Sequence, residues 1–313
     1  MPSSVLPATS FLDPTVLARI GNLELLARTV VEGFIHGLHR SPHLGSSTDF
    51  AEHRPYMVGD DIRRIDWKLY ARTDRYYVKE FEADTNTNLL LLLDVSPSMR
   101  YRGDGVSKLE YGCFLAAALA WFSSAQRDRV GLATFDEDLT DYVPCSAKHL
   151  RVVLQALDRA SHVNAAAGRG VASRVPALER PLRKLSESTR RRSLVVLISD
   201  LYEEPDAVLS ALANVRGRGN ELIVFHLLDR NELEFPFTDA TNFVDLETGE
   251  QMPLVPDYLR SAYQDLVARH TQALEQQTRD QRVDYTLLST ARPLDEALFA
   301  YLAARQRHRS TRR

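Results

Sequence analysis

The residues best suited to chemistry are Asp94, Ser96 and Ser98, spaced two apart where the apolar run Leu89–Leu93 ends. One carboxylate and two hydroxyls make an all-oxygen donor set of the kind Mg2+ takes, with Mn2+ able to substitute. That ion is octahedral, keeps several waters and uses only one or two protein carboxylates. Pro97 restricts the loop that must curl to bring the three groups together. A second run, Leu194–Ile198, leads into Ser199 and Asp200. If the two runs are neighbouring parallel strands, Asp94 and Asp200 share the sheet edge where ligands of open parallel sheets gather. By itself the triad is a weak signal, since average composition yields Asp-x-Ser-x-Ser about once in ten chains of this length. Ser and Asp after strands are also common turn formers and helix caps. Its place at the end of a buried-type strand, with Asp200 in an equivalent place, is what marks it.

The elements that must position these groups follow from hydrophobic spacing. The five-leucine run is long enough for a buried strand and too short to cross a membrane. From Asn88 onward apolar runs alternate with helical segments: strands are expected at 88–93, 129–135, 139–143, 193–199, 220–228 and 282–288, and helices near 106–126, 147–160, 174–187, 205–216 and 257–279. This alternation predicts an α/β protein, a three-layer sandwich with a mostly parallel central sheet. Upstream, Val16, Leu17, Ile20, Leu23, Leu26, Val30 and Phe34 mark an amphipathic helix between Pro14 and Gly37, and Tyr76–Glu82 reads as a strand extending the main sheet. The chain therefore divides into an N-terminal helix with a charged extension (1–86), a main domain (87–304) and a basic tail (305–313). The five arginines of that tail are read as disordered and solubilising.

Composition bounds the partners. With 313 residues, 44% hydrophobic, and a net charge of −3, the chain can bury a sizeable core and has no global attraction for nucleic acid or anionic lipid. Cys113 and Cys145 are its only cysteines, which offers neither a disulfide framework nor a zinc pattern and suggests reduced core thiols. No secretory leader pattern and no transmembrane segment is apparent, so a cytoplasmic protein is expected. Nothing in the pattern sets an oligomeric state.

A second feature is the segment from Gly59 to Lys79, where Asp60, Asp61, Asp66 and Asp74 interleave with Arg63, Arg64, Lys68, Arg72, Arg75 and Lys79 around Ile65, Trp67, Leu69 and Tyr70. It reads either as internal ion pairs with Trp67 packed on the sheet or as a docking surface anchored by Trp67, Arg63, Arg64 and Arg72. Its aspartates would repel phosphates, which argues against nucleic acid.

Enzyme readings find less support. A phosphotransferase of the haloacid-dehalogenase kind needs a carboxylate where Ser96 stands. The elbow Gly-x-Ser-x-Gly is absent, and Gly103–Lys108 lacks the ending of a phosphate loop. His36, His39 and His43 lack the helix context of a zinc protease. A metal-dependent phosphohydrolase at Asp94 and Asp200 stays open, although no general base or leaving-group acid accompanies the pair.

Asp94-Val95-Ser96-Pro97-Ser98 together with Ile198-Ser199-Asp200 resembles the metal-ion-dependent adhesion site of von Willebrand factor A domains. The stretch Arg54 to Thr73 (Arg-Pro-Tyr-Met-Val-Gly-Asp-Asp-Ile-Arg-Arg-Ile-Asp-Trp-Lys-Leu-Tyr-Ala-Arg-Thr), followed by Val78-Lys79-Glu80-Phe81-Glu82, resembles the bacterial domain-of-unknown-function family fifty-eight. The likeness runs from about Gly45 to Asp200 and more loosely to about Leu288. It implies a von Willebrand factor A-like fold and a non-enzymatic adaptor or assembly factor for a MoxR-type AAA+ ATPase. It also implies that Asp94, Ser96, Ser98 and Asp200 hold a divalent ion whose open position takes a partner's carboxylate. The threonine that completes such sites is missing: the corresponding stretch reads Gly168-Arg169-Gly170-Val171-Ala172-Ser173. Ser173 is the nearby hydroxyl, and Arg169 or Arg174 could place a cation where the ion's charge would be. The expectation is thus an ion-gated protein-interaction module. Its rivals are a metal-independent scaffold that binds through the Trp67 segment and the phosphohydrolase.

Overall fold

Leu89 to Leu93 are all buried, as a strand covered on both faces requires. The computed structural model containing them describes residues 12–40, 53–55, 67–73, 75–79, 87–162, 178–188 and 192–311. In chain order the elements are α1 (Pro14–Leu17), α2 (Leu23–Arg40), β1 (His53–Pro55), α3 (Trp67–Thr73), β2 (Tyr77–Lys79), β3 (Asn88–Asp94), α4 (Lys108–Ala125), β4 (Arg129–Phe135), β5 (Leu139–Ser146) and α5 (Leu150–His162). They continue with α6 (Glu179–Ser188), β6 (Ser193–Ser199), α7 (Pro205–Arg216), β7 (Glu221–Leu228), α8 (Arg230–Glu234), β8 (Thr241–Val244), β9 (Gln251–Leu254), α9 (Pro256–Asp280), β10 (Asp284–Ser289) and α10 (Asp295–Thr311).

The central sheet has six strands in the order β10-β7-β6-β3-β4-β5. All its pairings are parallel except β4 with β5. The leucines of β3 alternate between two layers because strand side chains have a period of two. Leu90 and Leu92 join Phe135, Val195, Leu197 and Val224 against Leu182 and Leu185 of α6, Val208 and Leu212 of α7 and Leu274 of α9. On the opposite face α4 comes so close that a Cβ at Gly112 would lie 2.9 Å from Leu93 Cδ1. Helix α4 is apolar nearly all round because the sheet lies on one side and other helices on the rest. Ser123 in it exchanges a 2.8 Å hydrogen bond with the Tyr301 hydroxyl of α10. Its start is fixed by a capping box, in which Ser107 Oγ accepts from the Glu110 amide at 3.1 Å and Glu110 Oε2 accepts from the Ser107 amide at 2.8 Å.

The mixed α/β architecture with a mostly parallel sheet matches expectation, and the strands begin and end within a few residues of the expected ranges. Four features differ. The one helix expected between Pro14 and Gly37 is two, α1 and α2, with residues 18–22 between them. The C-terminal arginines expected as a disordered tail belong largely to α10, which buries Ala297, Leu298, Tyr301 and Ala304 at helical spacing. Arg305 is itself buried, pairs with Asp128 and donates to the Tyr301 hydroxyl at 3.0 Å. The density of arginines masked this apolar face. Next, among the described residues β2 pairs antiparallel with β1, His53 opposite Lys79, and not with the main sheet. Finally, Met1–Ile35 groups with Thr87–Arg313 as one compact unit and His36–Asn86 forms a second. Helix α2 as far as Ile35 therefore joins the main unit rather than the charged segment: Leu26, Ala27, Val30, Val31 and Phe34 are buried, and the Phe34 ring lies edge-on to Phe299 of α10 at 4.8 Å.

Both cysteines are free thiols, and burial pushes each up to about 12. Among the described residues no helix is long and apolar enough to cross a membrane.

Gly131 and Gly112 both meet close neighbours in the main unit, with different consequences. A Cβ at Gly131 in β4 would lie 2.8 Å from both the Cys145 amide nitrogen and the Val143 carbonyl oxygen of β5, whereas at Gly112 it meets a side-chain methyl. Backbone cannot yield as a leucine tip can, and an alanine inside α4 also gains helix propensity. Urea unfolding should show a loss of about 3 kcal/mol for Gly131→Ala and about 1 kcal/mol or less for Gly112→Ala. Equal losses would mean that the β4–β5 spacing is not the constraint.

Candidate functional site

The register of the two central strands builds the site. Leu93 stands opposite Ile198, so β3 and β6 release Asp94 and the Ser199-Asp200 pair at one edge of the sheet. Asp94 is 6% exposed. Its Oδ1 accepts the Ser96 amide at 2.9 Å and its Oδ2 accepts the Ser199 hydroxyl at 2.6 Å. After Pro97 a single 3-10 turn, Ser98–Arg100, curls the loop back, and this brings Ser96 Oγ to 3.1 Å from Ser98 Oγ. Asp94, Ser96 and Ser98 thus lie in one loop, as their spacing suggests.

The Asp200 carboxylate faces a different partner. Lys108, the first residue of α4, is wholly buried. Its ammonium donates to Asp200 Oδ2 at 2.8 Å, to Glu232 Oε1 at 2.8 Å and to the Tyr202 hydroxyl at 2.9 Å. It also lies 4.5 Å from the centre of the Tyr202 ring. Burial works against the charge, but Asp200 and Glu232 outweigh it and the lysine is held above its ordinary range. Glu232 is positioned by a capping box with Asp229 at the start of α8, its Oε2 accepting the Asp229 amide at 2.7 Å. The sequence assigns no role to Lys108, Tyr202 or Glu232, and Ser199 enters it only as part of the Ile198-Ser199-Asp200 motif. The available signals were Asp229-x-x-Glu232 directly after a strand and a lysine closing the phosphate-loop lookalike.

The two aspartates therefore differ electrically. Among the described residues no cation pairs with Asp94. Burial, and then the charge of Asp200, push its carboxyl up to about 7 despite the hydrogen bonds from Ser199 and Ser96. A further carboxylate arrives from the turn between β8 and β9, where Glu247 Oε1 accepts the Ser98 amide at 2.8 Å. Partial burial raises the Glu247 carboxyl as well, with Asp136 and Asp200 adding like charge.

Among the described residues no group of three or more His, Cys, Asp or Glu side chains is arranged to hold a metal. What the loop offers is one under-neutralised carboxylate beside two adjacent hydroxyls, a donor set that suits a hard, partly hydrated cation better than a soft one. Asp200, fourth in the expected set, is engaged by Lys108. Of the other residues singled out from sequence, Arg63 and Arg64 lie outside the described residues. Trp67 opens α3 and Arg72 is exposed on it, both in the separate unit His36–Asn86. The stretch Gly168–Ser173 that departs from the adhesion-site pattern, with Arg169, and Arg174 beyond it, also lies outside the described residues, as does His43; His36 and His39 are on the last two turns of α2.

A family model described as "Protein of unknown function DUF58" matches residues 52–273. The chain belongs to that family. Uncharacterized proteins of Mycobacterium bovis and Mycobacterium tuberculosis are each 28% identical to this DUF58 chain over 239 residues, 76% of this chain and 73% of theirs. Among solved structures, an aerotolerance-related membrane protein of Bacteroides fragilis is similar over 68% of this chain and 96% of its own, with 16% identity and a TM-score of 0.45. BatB of Bacteroides thetaiotaomicron is similar over 70% and 99%, with 15% identity and a TM-score of 0.44.

Two measurements probe the electrostatics of this DUF58 edge. Lys108→Met leaves the buried Asp200 and the half-buried Glu232 without their cation and should cost about 3–5 kcal/mol in denaturant unfolding, with Asp200→Asn in the same chain recovering part of it. Behind Asp200, His226 of β7 is buried with Nδ1 2.7 Å from the Tyr285 hydroxyl. Burial, and then His270, push it down to about 3. The folded chain refuses a proton that the unfolded chain accepts below about pH 6.5. Its contribution is present above that value and is lost as pH falls toward 3. Between pH 7.5 and pH 5, His226→Gln should lose about 2 kcal/mol less than wild type. Parallel pH profiles would show that His226 does not set the acid limb.

Proposed function

We propose that this chain is a non-enzymatic protein-interaction module, von Willebrand factor A-like in fold, whose sheet edge takes an acidic side chain of a partner protein through a divalent ion. Asp94, Ser96 and Ser98 would hold the ion, with Asp200 behind them. The observation that carries the reading is Asp94: a buried carboxylate without a cationic partner among the described residues, beside two hydroxyls 3.1 Å apart. Bound there, Mg2+ would supply the missing positive charge and an open position for a carboxylate. The chain's own residues do the rest. Ser199 and the Ser96 amide fix the Asp94 carboxylate, and the 3-10 turn aims the two hydroxyls. The proposed partner is a MoxR-type AAA+ ATPase, on the strength of the motif likeness set out above.

Lys108 favours a second reading in which the surface binds without metal, since an ammonium already neutralises Asp200. It weakens the phosphohydrolase reading, because Asp200 and Glu232 are both committed to Lys108 rather than free to act as acid or base.

Affinity capture from native lysate, read by mass spectrometry, separates these. The ion-gated reading expects a partner, an AAA+ ATPase among the captured proteins, with wild type in Mg2+ and its loss both in EDTA and with Asp94→Ala. The variant's circular dichroism should be unchanged. Equal capture in all three samples would leave the metal-independent scaffold. Phosphoester turnover that requires Mg2+ or Mn2+ and vanishes in Asp94→Ala would establish the hydrolase.

A further inference from the structure

The carboxylate on the Ser98 amide comes from this chain itself. Glu247 is 149 residues from Ser98 and sits in the turn of the β8–β9 hairpin, yet its Oε1 accepts the Ser98 N–H at 2.8 Å. We infer that Glu247 is a built-in occupant of the carboxylate position at the Asp94-Ser96-Ser98 loop, and that a partner's acidic side chain engages the loop by displacing it. This inference rests on the ion-dependent reading proposed above and adds to it how the site is kept closed.

The turn is preformed. Asp245 Oδ1 accepts the amides of Glu247 at 2.7 Å and Thr248 at 3.1 Å, and the Asp245 amide donates to the Glu250 carbonyl at 2.9 Å. Gly249 supplies the positive φ, +75°, that lets the chain reverse. Glu247 is therefore presented by a rigid tip rather than by a wandering loop.

The same tip is weakly held. Val244, Leu246 and Met252 of the hairpin are exposed, Met252 at 60%. Among the described residues Glu247 is the one residue of the turn 245–250 that hydrogen-bonds to the rest of the chain, and its partner there is Ser98. The base, in contrast, is packed: Phe243 stacks on Phe235 at 5.6 Å and meets Phe237 edge-on at 5.2 Å, and Phe235 lies 4.6 Å from Tyr263. A fixed base and a tip held by one exposed carboxylate make a strap that releases at Glu247. Tethered in this way, the carboxylate competes at an effective concentration on the order of millimolar or above, so only a well-placed acidic side chain supplants it.

Acetate is the simplest probe of that position. The full chain is loaded with Mn2+, binding is followed by electron paramagnetic resonance, and the relaxation of the acetate methyl protons by bound Mn2+ is measured for wild type, Glu247→Ala and Glu247→Gln. All three chains should bind Mn2+, and acetate relaxation per bound ion should rise about tenfold in both variants relative to wild type. Equal acetate relaxation in all three chains, or none in the variants, with Mn2+ bound throughout, would overturn the internal occupant and leave the ion-dependent reading standing. Failure of every chain to bind Mn2+ would sink that reading and this inference with it.

Discussion

The carboxyl edge of the sheet depends on the buried ammonium of Lys108. Removing such a group from water costs several kcal/mol, and only close, well-oriented oxygen partners offset it. Asp200, Glu232 and the Tyr202 hydroxyl do so, all within 2.9 Å. Its position is unexpected for a helix. At the first residue of α4 a cation opposes the positive end of the helix dipole. The residue is therefore set there by the carboxylates it meets, and it ties the start of α4 to the segment after β6 and to α8. Three separate connections at one end of the sheet are thereby held in one arrangement.

That arrangement leaves an imbalance. One ammonium answers Asp200 and Glu232, while Asp94 has hydrogen bonds from Ser96 and Ser199 but no cation among the described residues, and its carboxyl is pushed up to about 7. Lys108 does for Asp200 what a bound cation would do for Asp94. The edge thus has a finished half, made rigid by an internal ion pair, and an unfinished half of hydroxyls and carboxylates. Ser199 joins them, because it donates to Asp94 while its neighbour Asp200 accepts from Lys108.

What could be read from the sequence follows the same division. Strands β3 and β6 were evident because burial on both faces makes them unbroken apolar runs. Their neighbouring placement then put Asp94 and Asp200 at one edge. The hairpin Thr241–Leu254 gave no such signal, since most of it is exposed and no alternation is imposed on it. Helix α10 was hidden by its arginines, although Leu298, Tyr301 and Arg305 keep helical spacing along its buried side. The Lys108–Asp200 pair spans 92 residues of sequence. No local pattern announces it, because it exists only once the sheet register has set α4 beside the end of β6.

Long-range charge pairing also explains why a short motif underdetermines this site. Asp-x-Ser-x-Ser sets the geometry of three donors through local rules: strand end, proline, 3-10 turn. Whether those donors face a cation, a water or another side chain is decided by groups brought in from elsewhere in the chain. Here these are Ser199 from β6, which donates to Asp94, Glu247 from the hairpin, which accepts from Ser98, and Lys108 from α4, which engages Asp200 and leaves Asp94 without a cation. Two of the three are polar groups on buried, regular elements and respond little to solvent. Glu247 is the exposed one, carried on a turn whose order is its own. The adjustable contact of the site is therefore the one farthest from the motif in sequence, and the adaptable part of this edge lies in the hairpin rather than in the loop that carries the motif.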